Sequence, residues 1–478
     1  MNSTSKNSRR NFIKKSAVAA VGFSIIPRHV LGKGFIAPSD KLNIAVIGGG
    51  GKGKSDALNA WNNGSNNITA ICDVDWNMSK ELMDKFTKAK KYKDFRKMLE
   101  KSSKDIDAIT ISTPDHTHAV AALASMQLGK HVYVQKPLTH NIKEARILTK
   151  AASTYKSVTQ MGNQGASGDG VKQMTKWFDS GIIGSVNEVH VWTNRPVWPQ
   201  GIPTPTEKVK MIDGLAWDSW IGPAEMVDYH PLYHPFKWRG WWNFGTGALG
   251  DMGCHLMDPP FRVLGLKYPT EVETSVGAIF TKDWNPDYYP ESCPPSSRTQ
   301  LTFEATEKNP IGLKMTWTDG GLRPFHPDLI PADHNIGDED SSNGVIMMGE
   351  KGIMTCGTYG RNPKVYLNSG EIIEIPKSSL TNNLPENGHH IFWTEACKEG
   401  FGGQKHKDLT SSFDFAGPLT ESLLIGNLAI RSYMTKTGKN SFEGRKKLLW
   451  DSKNMEITNF KKGNQFVSRD YRSGWSLK

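Results

Sequence analysis

The chain has 478 residues, 37% hydrophobic, 10% aromatic and 22% charged, a balance that supports a buried core and excludes a disordered polar chain. Its 59 basic against 48 acidic residues give a formal charge of +11, but residues 1–34 hold seven basic residues and no acidic one, leaving 52 against 48, so no nucleic-acid partner is expected. No uncharged apolar run of about 18 residues exists to span a bilayer, and Cys72, Cys254, Cys293, Cys356 and Cys397 stand apart with no C-x-x-C pair, so neither a zinc knuckle nor a dense disulfide framework fits.

Ser8-Arg9-Arg10-Asn11-Phe12-Ile13-Lys14 precedes a weakly polar run from Ala17 to Ile26, a basic region followed by a short apolar one. It resembles the twin-arginine export signal S-R-R-x-F-x-K at every defined position. The resemblance implies a periplasmic protein that crosses the membrane already folded, with residues 1–34 as the signal region and no membrane span beyond it. A clear small-x-small cleavage site is missing around Leu31 to Ala37.

Leu42 to Ile47 reads as a buried strand, and Gly48-Gly49-Gly50-Gly51-Lys52-Gly53 follows it directly, with a helix expected from about Lys54. Gly48, Gly50 and Gly53 fill the three places of G-x-G-x-x-G, where missing side chains permit a tight turn, close approach of a pyrophosphate and tight helix–strand packing. A second strand, Ile68 to Cys72, ends at Asp73, placed to accept hydrogen bonds from the adenosine ribose hydroxyls. The carboxylate favours NAD over NADP, since no arginine follows in Val74-Asp75-Trp76-Asn77 to receive a 2′-phosphate. Helices around Ser79 to Lys88 and Phe95 to Lys101, a strand from Ala108 to Ser112, a helix from Ala119 to Leu128 and a strand from His131 to Val134 continue the alternation. That pattern predicts a doubly wound parallel sheet whose ligands lie beyond the carboxyl ends of the strands, where Thr113, Pro114, His118 and Gln135-Lys136-Pro137 fall.

The glycine loop, Asp73, Thr113-Pro114 with His118, Gln135-Lys136-Pro137 and Gly250-Asp251-Met252-Gly253-Cys254-His255 together resemble the Gfo/Idh/MocA oxidoreductases, relatives of glucose–fructose oxidoreductase and inositol dehydrogenase. The resemblance runs from about Lys41 to about Tyr433 and departs from the family at Gln135, where glutamate is usual. It implies a Rossmann domain over residues 38–162 and, over 163–478, a substrate-binding and oligomerising α/β domain with an open, mostly antiparallel sheet. It further implies NAD as cofactor, a carbohydrate substrate and a dimer or tetramer. Strands are expected at Val186 to Trp192, Glu271 to Phe280, Thr299 to Phe303, Gly312 to Trp317, Gly344 to Met348 and Lys364 to Leu367. The long segments Asn194 to Gly247 and Gly320 to Ser342 read as binding loops or packing insertions, and the basic stretch Lys436 to Lys478 as a solvated, partly packed tail.

If Gly250 to Arg262 is helical, Asp251 and His255 project from one face toward a common ligand. Oxidation of a secondary alcohol needs a hydride acceptor and a base for the hydroxyl proton. His255 is assigned as that base, Lys136 as the cation that polarises the hydroxyl, and Asp251 as a contact to a neighbouring hydroxyl or an orienting group. Thr113, Pro114, His118, Gln135, Lys136 and Asn163 are the further cofactor contacts expected, although Asn163-Gln164 between glycines is also compatible with a plain turn. Arg239, Trp241 and Trp242 suit a sugar, with ring faces to stack on and a cation for its hydroxyls, while core packing is the alternative for any single tryptophan. His389-His390 is a further substrate candidate. His326, Asp333 and His334 lack a metal-binding frame, so no metal is expected.

Two mechanisms use these residues. One is net hydride transfer between a retained NAD and a secondary hydroxyl of a sugar, cyclitol or glycoside. The other is glycoside cleavage through transient 3-keto oxidation, elimination and return of the same hydride. A sugar-binding protein with an idle nucleotide fold would give His255, Asp251 and Lys136 no reason to coexist.

Overall fold

The computed structural model describes residues 40–375, 388–438 and 441–477. The Ser8–Lys14 motif and the Ala17–Ile26 run lie outside the described residues. Alternation of aliphatic strands with helices builds a six-stranded sheet from β1 (Asn43–Ile47), β2 (Asn67–Cys72), β3 (Lys90–Tyr92), β4 (Ala108–Ile111), β5 (His131–Val134) and β6 (Thr159–Met161). The order is β3-β2-β1-β4-β5-β6 and every pairing is parallel. Ile44, Val46, Ile71, Ile109, Ile111, Val132 and Val134 are fully buried, as a sheet covered on both faces requires. The chain winds outward from β1 to β3 and returns through β4, so the winding reverses between β1 and β4 and leaves a crevice there.

Helix α1 (Lys52–Trp61) starts two residues ahead of the expected Lys54, because Gly51 at φ +51° turns the chain straight from loop to helix. Helix α2 (Asp115–Gln127) likewise begins directly after Pro114, which stays extended as its cap. Helix α3 (Ile142–Thr154) carries a capping box, with Asn141 accepting from the Glu144 N–H and Glu144 accepting in return.

The second sheet contains β7 (Val186–Trp192), β8 (Glu271–Val276), β11 (Ser297–Phe303), β12 (Leu313–Thr318), β13 (Gly344–Gly349), β14 (Gly352–Cys356), β15 (Lys364–Leu367), β16 (Ile372–Glu374), β17 (Leu448–Asp451) and β18 (Glu456–Ile457). A separate hairpin, β9 (Ile279–Lys282) with β10 (Asn285–Asp287), lies between β8 and β11 in sequence. The order is β16-β15-β14-β13-β7-β12-β11-β8-β17-β18, antiparallel except where β7 meets β12. Lys436 to Lys478 is therefore more than a tail: it supplies β17 and β18, and Leu448, Trp450 and Phe460 are buried.

Helix α4 (Gly247–Leu256) carries Asp251 and His255 and stops before Pro259 and Pro260, so the single helix expected to Arg262 becomes two, the second being Asp258–Val263. After α5 (Gly388–Glu399), α6 (Phe413–Met434) packs against α3 of the first domain and against β8, β11 and α4 of the second, burying Leu419, Leu423, Ile425 and Leu428. Burial of such side chains, at roughly 1.5–3 kcal/mol each, locks the two domains around one cleft.

Candidate active site

A cleft of about 600 Å³ opens at the carboxyl ends of β1, β2, β4 and β5, and α4, Tyr359 and residues of the Ser219 to Arg239 stretch wall it from the opposite side. On the nucleotide side, Gly48, Gly50 and Gly51 line it. A side chain on Gly50 would lie 2.8 Å from Met78 Cβ, and one on Gly53 would strike the Gly48 carbonyl at 1.9 Å. Gly53 thus lets α1 press against the loop, while Gly50 leaves the loop bare toward the cleft. Asp73 caps β2. Its Oδ2 accepts from the Gly49 and Gly50 N–H groups (2.7 and 3.1 Å), and its Oδ1 accepts from that of Asp75 (2.9 Å). Burial raises its pKa, and these three donors only partly oppose the shift. Beyond it, Phe95 and Trp475 line the cleft with ring centroids 5.9 Å apart. A bare loop, a helix N-terminus, a carboxylate at the end of β2 and an aromatic edge suit a dinucleotide.

On the substrate side, Lys136 extends from the end of β5, and its Nζ donates to Asp251 Oδ1 at 2.7 Å and to the Asp251 carbonyl at 2.8 Å. Arg239 Nε reaches the same Oδ1 at 3.3 Å, with its guanidinium over Trp238 and Phe236 (4.2 and 4.6 Å to the ring centroids). Burial alone would raise the Asp251 pKa, but the Lys136 and Arg239 charges outweigh it and hold the carboxyl down at about 2. One turn along α4, His255 faces the same cleft, edge-on to Tyr359 at 4.6 Å, and its Nδ1 is buried with no hydrogen-bond partner among the described residues. Burial first, then the Lys136 charge, push its pKa well below the ordinary imidazole value. A neutral imidazole therefore stands beside an ammonium group that the Asp251 carboxylate holds in place, an arrangement able to accept a hydroxyl proton and stabilise the oxygen left behind.

Asp115 and Tyr359 are among the lining residues that escaped the sequence reading. Asp115, the first residue of α2, accepts from Thr246 Oγ1 at 2.6 Å. Burial drives its pKa up to about 7, against the Thr246 hydrogen bond and the Arg239 and Lys136 charges. Thr246 in turn sits where a side chain on Gly250 would be, 1.9 Å from its Oγ1, so this glycine admits the hydroxyl against α4. Tyr359 holds a left-handed backbone at φ +68°, with its Cβ against Gly165. Asp115 directly follows the Thr113-Pro114 pair that marks the end of β4, which was a usable signal. Tyr359 had none, because only the closed fold brings it to His255.

Thr113, Pro114, Gln135 and Lys136 line the cleft, whereas His118 and Asn163 stand behind it. The His118 ring bridges the carbonyls of Thr113 and Pro137, both at 2.8 Å, tying together the turns that end β4 and β5. Asn163 donates to Asp258 Oδ1 at 3.2 Å, while its neighbour Gln164 reaches the lining. Trp241 and Trp242 are core residues rather than sugar platforms: both are buried, and the Trp241 indole donates to Leu232 O at 2.8 Å. The aromatic rings presented to this part of the cleft are those of Phe236 and Trp238. His389 and His390 are buried too. His390 Nε2 lies 2.9 Å from Asp56 Oδ1, and Asp56 Oδ2 accepts from Gln135 Nε2 and Ser112 Oγ, each at 2.8 Å, while Lys52 also pairs with this carboxylate. Desolvation would raise the Asp56 pKa, but the His390 hydrogen bond and the Lys52 charge bring it well below the carboxylate range. The charge missing at Gln135 is present one contact away, on α1.

Residues 42–163 match the NAD-binding Rossmann fold of the oxidoreductase family, and residues 167–282 match that family's C-terminal alpha/beta domain. The sequence is 29% identical over 181 residues to a glycosyl hydrolase family 109 protein of Shewanella baltica, covering 32% of this chain and 39% of that one. It is 27% identical over 125 residues to inositol 2-dehydrogenase of Salmonella typhimurium, covering 26% and 37%. The chain thus spans less than half the length of these curated relatives. A levoglucosan dehydrogenase solved with NADH and levoglucosan superposes with a TM-score of 0.54 at 17% identity over 82% of this chain and 98% of that one, a likeness of fold. The chain therefore joins a Rossmann domain that matches an NAD-binding family model to a mixed-sheet second domain. The two domain matches and the relatives support the Gfo/Idh/MocA family of oxidoreductases.

Proposed function

We propose that the chain transfers hydride between NAD and a secondary hydroxyl of a sugar, cyclitol or glycoside. The observation that carries this reading is the juxtaposition, across one cleft from the glycine loop, of a buried neutral His255 with Lys136 held by Asp251. Gly48, Gly50 and Asp73 would hold the dinucleotide, and Thr113, Pro114 and Gln135 would flank its reactive end. Bound NAD supplies the hydride acceptor. His255 takes the hydroxyl proton on its ring nitrogen, Lys136 Nζ stabilises the developing alkoxide, and Asp251 fixes Lys136 and Arg239 against that oxygen's neighbourhood. Phe236 and Trp238 add apolar ring surface to the cleft beside the helix bearing His255.

The likeness to the family 109 glycosyl hydrolase favours a second reading with the same residues. Transient oxidation at C3 acidifies the C2 proton, elimination breaks the glycosidic bond, water adds, and the hydride returns, with no net redox change. We further propose that the chain is exported by the twin-arginine route with its cofactor retained, and that it assembles as a dimer or tetramer through the open sheet. Denaturing the folded protein and quantifying released nicotinamide by chromatography tests retention. Assaying NADH formation and glycoside cleavage on the same preparation then separates the mechanisms. Protein that neither carries nor binds NAD(P) would overturn both.

A further inference from the structure

The substrate end of the cleft carries more firmly charged cations than anions. Lys136 and Arg239 share the single carboxylate of Asp251. The other carboxyl at this end, Asp115, is buried and held by the Thr246 hydroxyl. A third cation, Arg195, lines the same cleft and makes no ion pair among the described residues; its Nη1 donates to the neutral side-chain oxygen of Asn194. Its charge is the smallest of those that lower the His255 pKa, after burial and the Lys136 and Lys52 charges.

The backbone beneath Arg195 is fixed. Its carbonyl accepts from Gly320 N at 2.6 Å and its N–H donates to Thr193 Oγ1 at 3.3 Å. Asn343 Oδ1 accepts from both the Thr193 hydroxyl (2.6 Å) and the Asn194 N–H (3.3 Å). A guanidinium on a fixed backbone in a concave site, with no carboxylate of its own beside two cations that share one, draws and orients an anion, because the fork of N–H groups matches carboxylate and phosphate oxygens. The remaining cations of the cleft are otherwise engaged: Lys52 pairs with Asp56, and Lys93 bonds the Gly214 carbonyl at the nucleotide end.

We infer that the substrate is a sugar bearing an anionic substituent, a carboxylate or a phosphate, which Arg195 binds while a ring hydroxyl faces His255 and Lys136. This rests on the oxidoreductase reading for the hydroxyl but not for the anion. The test uses the full chain loaded with NADH and calorimetric binding of glucose, galactose, their uronic acids and their 6-phosphates, with NAD-dependent oxidation of the same panel. An anionic form is expected to bind at least about 10-fold tighter than its neutral parent, and the preferred anion decides between carboxylate and phosphate. Arg195→Gln should weaken that anion about 10–100-fold, acting on KM more than on kcat. It should leave neutral sugars and the melting temperature unchanged, and Arg195→Lys should restore part of the loss. Equal binding of neutral and anionic sugars, absence of binding by any anionic member, or equal effects of Arg195→Gln on both classes overturns the inference. Arg195-dependent anion binding without any hydride transfer would uphold it while removing the oxidoreductase reading.

Discussion

The two walls of the cleft solve the problem of holding charge differently. On the nucleotide wall, main-chain donors hold the Asp73 carboxylate, and a bare glycine loop beside a helix N-terminus faces the ligand. On the substrate wall the charges belong to side chains from distant segments, with Lys136 on the β5 turn, Arg239 in the long loop and Asp251 on α4 meeting at one oxygen. Main-chain recognition is written in local geometry and tolerates change in side chains. Recognition by converging side chains is rewritten by a single substitution, which lets one dinucleotide fold serve different substrates.

The sharpest separation of the walls comes from His255→Asn, expected to lower kcat about 10²–10⁴-fold while fluorescence titration shows dinucleotide affinity unchanged. A parallel loss of NAD binding would mean that the walls are not independent. Asp56→Ala should act in the opposite sense. It strands the buried His390 and Gln135 donors, and denaturant unfolding should show a stability loss of about 3–5 kcal/mol, with NAD affinity falling through the loosened Lys52. Asp251→Asn leaves Lys136 and Arg239 without their shared anion, and a drop in kcat/KM of about 10²-fold is expected. Since the folded pKa of this group lies below its unfolded value, at about 2 against 3.8, the wild type keeps the group's stabilisation above pH 4 and loses it as pH falls toward 2. The Asn variant should lose that part of the acid transition in pH-dependent melts.

The smallest effect concerns Asp115, whose folded pKa is raised from 3.8 to about 7. The folded chain holds this proton more tightly than the unfolded one, so stability falls as pH rises through that window and stays reduced above it. Asp115→Asn should remove the slope and stabilise the protein at pH 8 by about 1–3 kcal/mol. A melting temperature that is unchanged at pH 8 would show that the carboxylate is solvated there.

The same contrast explains what could be read from the chain beforehand. Strands β5, β7 and β15 coincide with the runs expected at His131–Val134, Val186–Trp192 and Lys364–Leu367, because their buried valine and aromatic residues leave a local signal even where, as at Asn187 and Glu188 of β7, exposed polar residues interrupt it. Strand β17 went unread: only Leu448 and Trp450 are buried, Leu449 is exposed, and the surrounding lysines mask the pattern. Asp251 and His255 were legible from their four-residue spacing together with the family resemblance. Tyr359 and Arg195 were not, since nothing near them in sequence distinguishes a cleft residue from a surface one. Trp241 and Trp242 misled, because an aromatic run beside an arginine reads the same whether the rings face a ligand or the core; the fold sent Phe236 and Trp238 to the cleft instead.

The nucleotide-binding domain is not a detachable cassette. His390 reaches back across 334 residues to Asp56, and Trp475 closes the aromatic edge beside Phe95, with the Arg96 guanidinium 4.2 Å from the centre of its ring. A Rossmann segment cut at residue 163 would keep every glycine of its fingerprint and still lack two of its walls. Transplanting this segment into a chimera would therefore yield a weaker nucleotide binder than its motif promises, and a growing chain would complete the pocket only after the segment carrying Trp475 had docked.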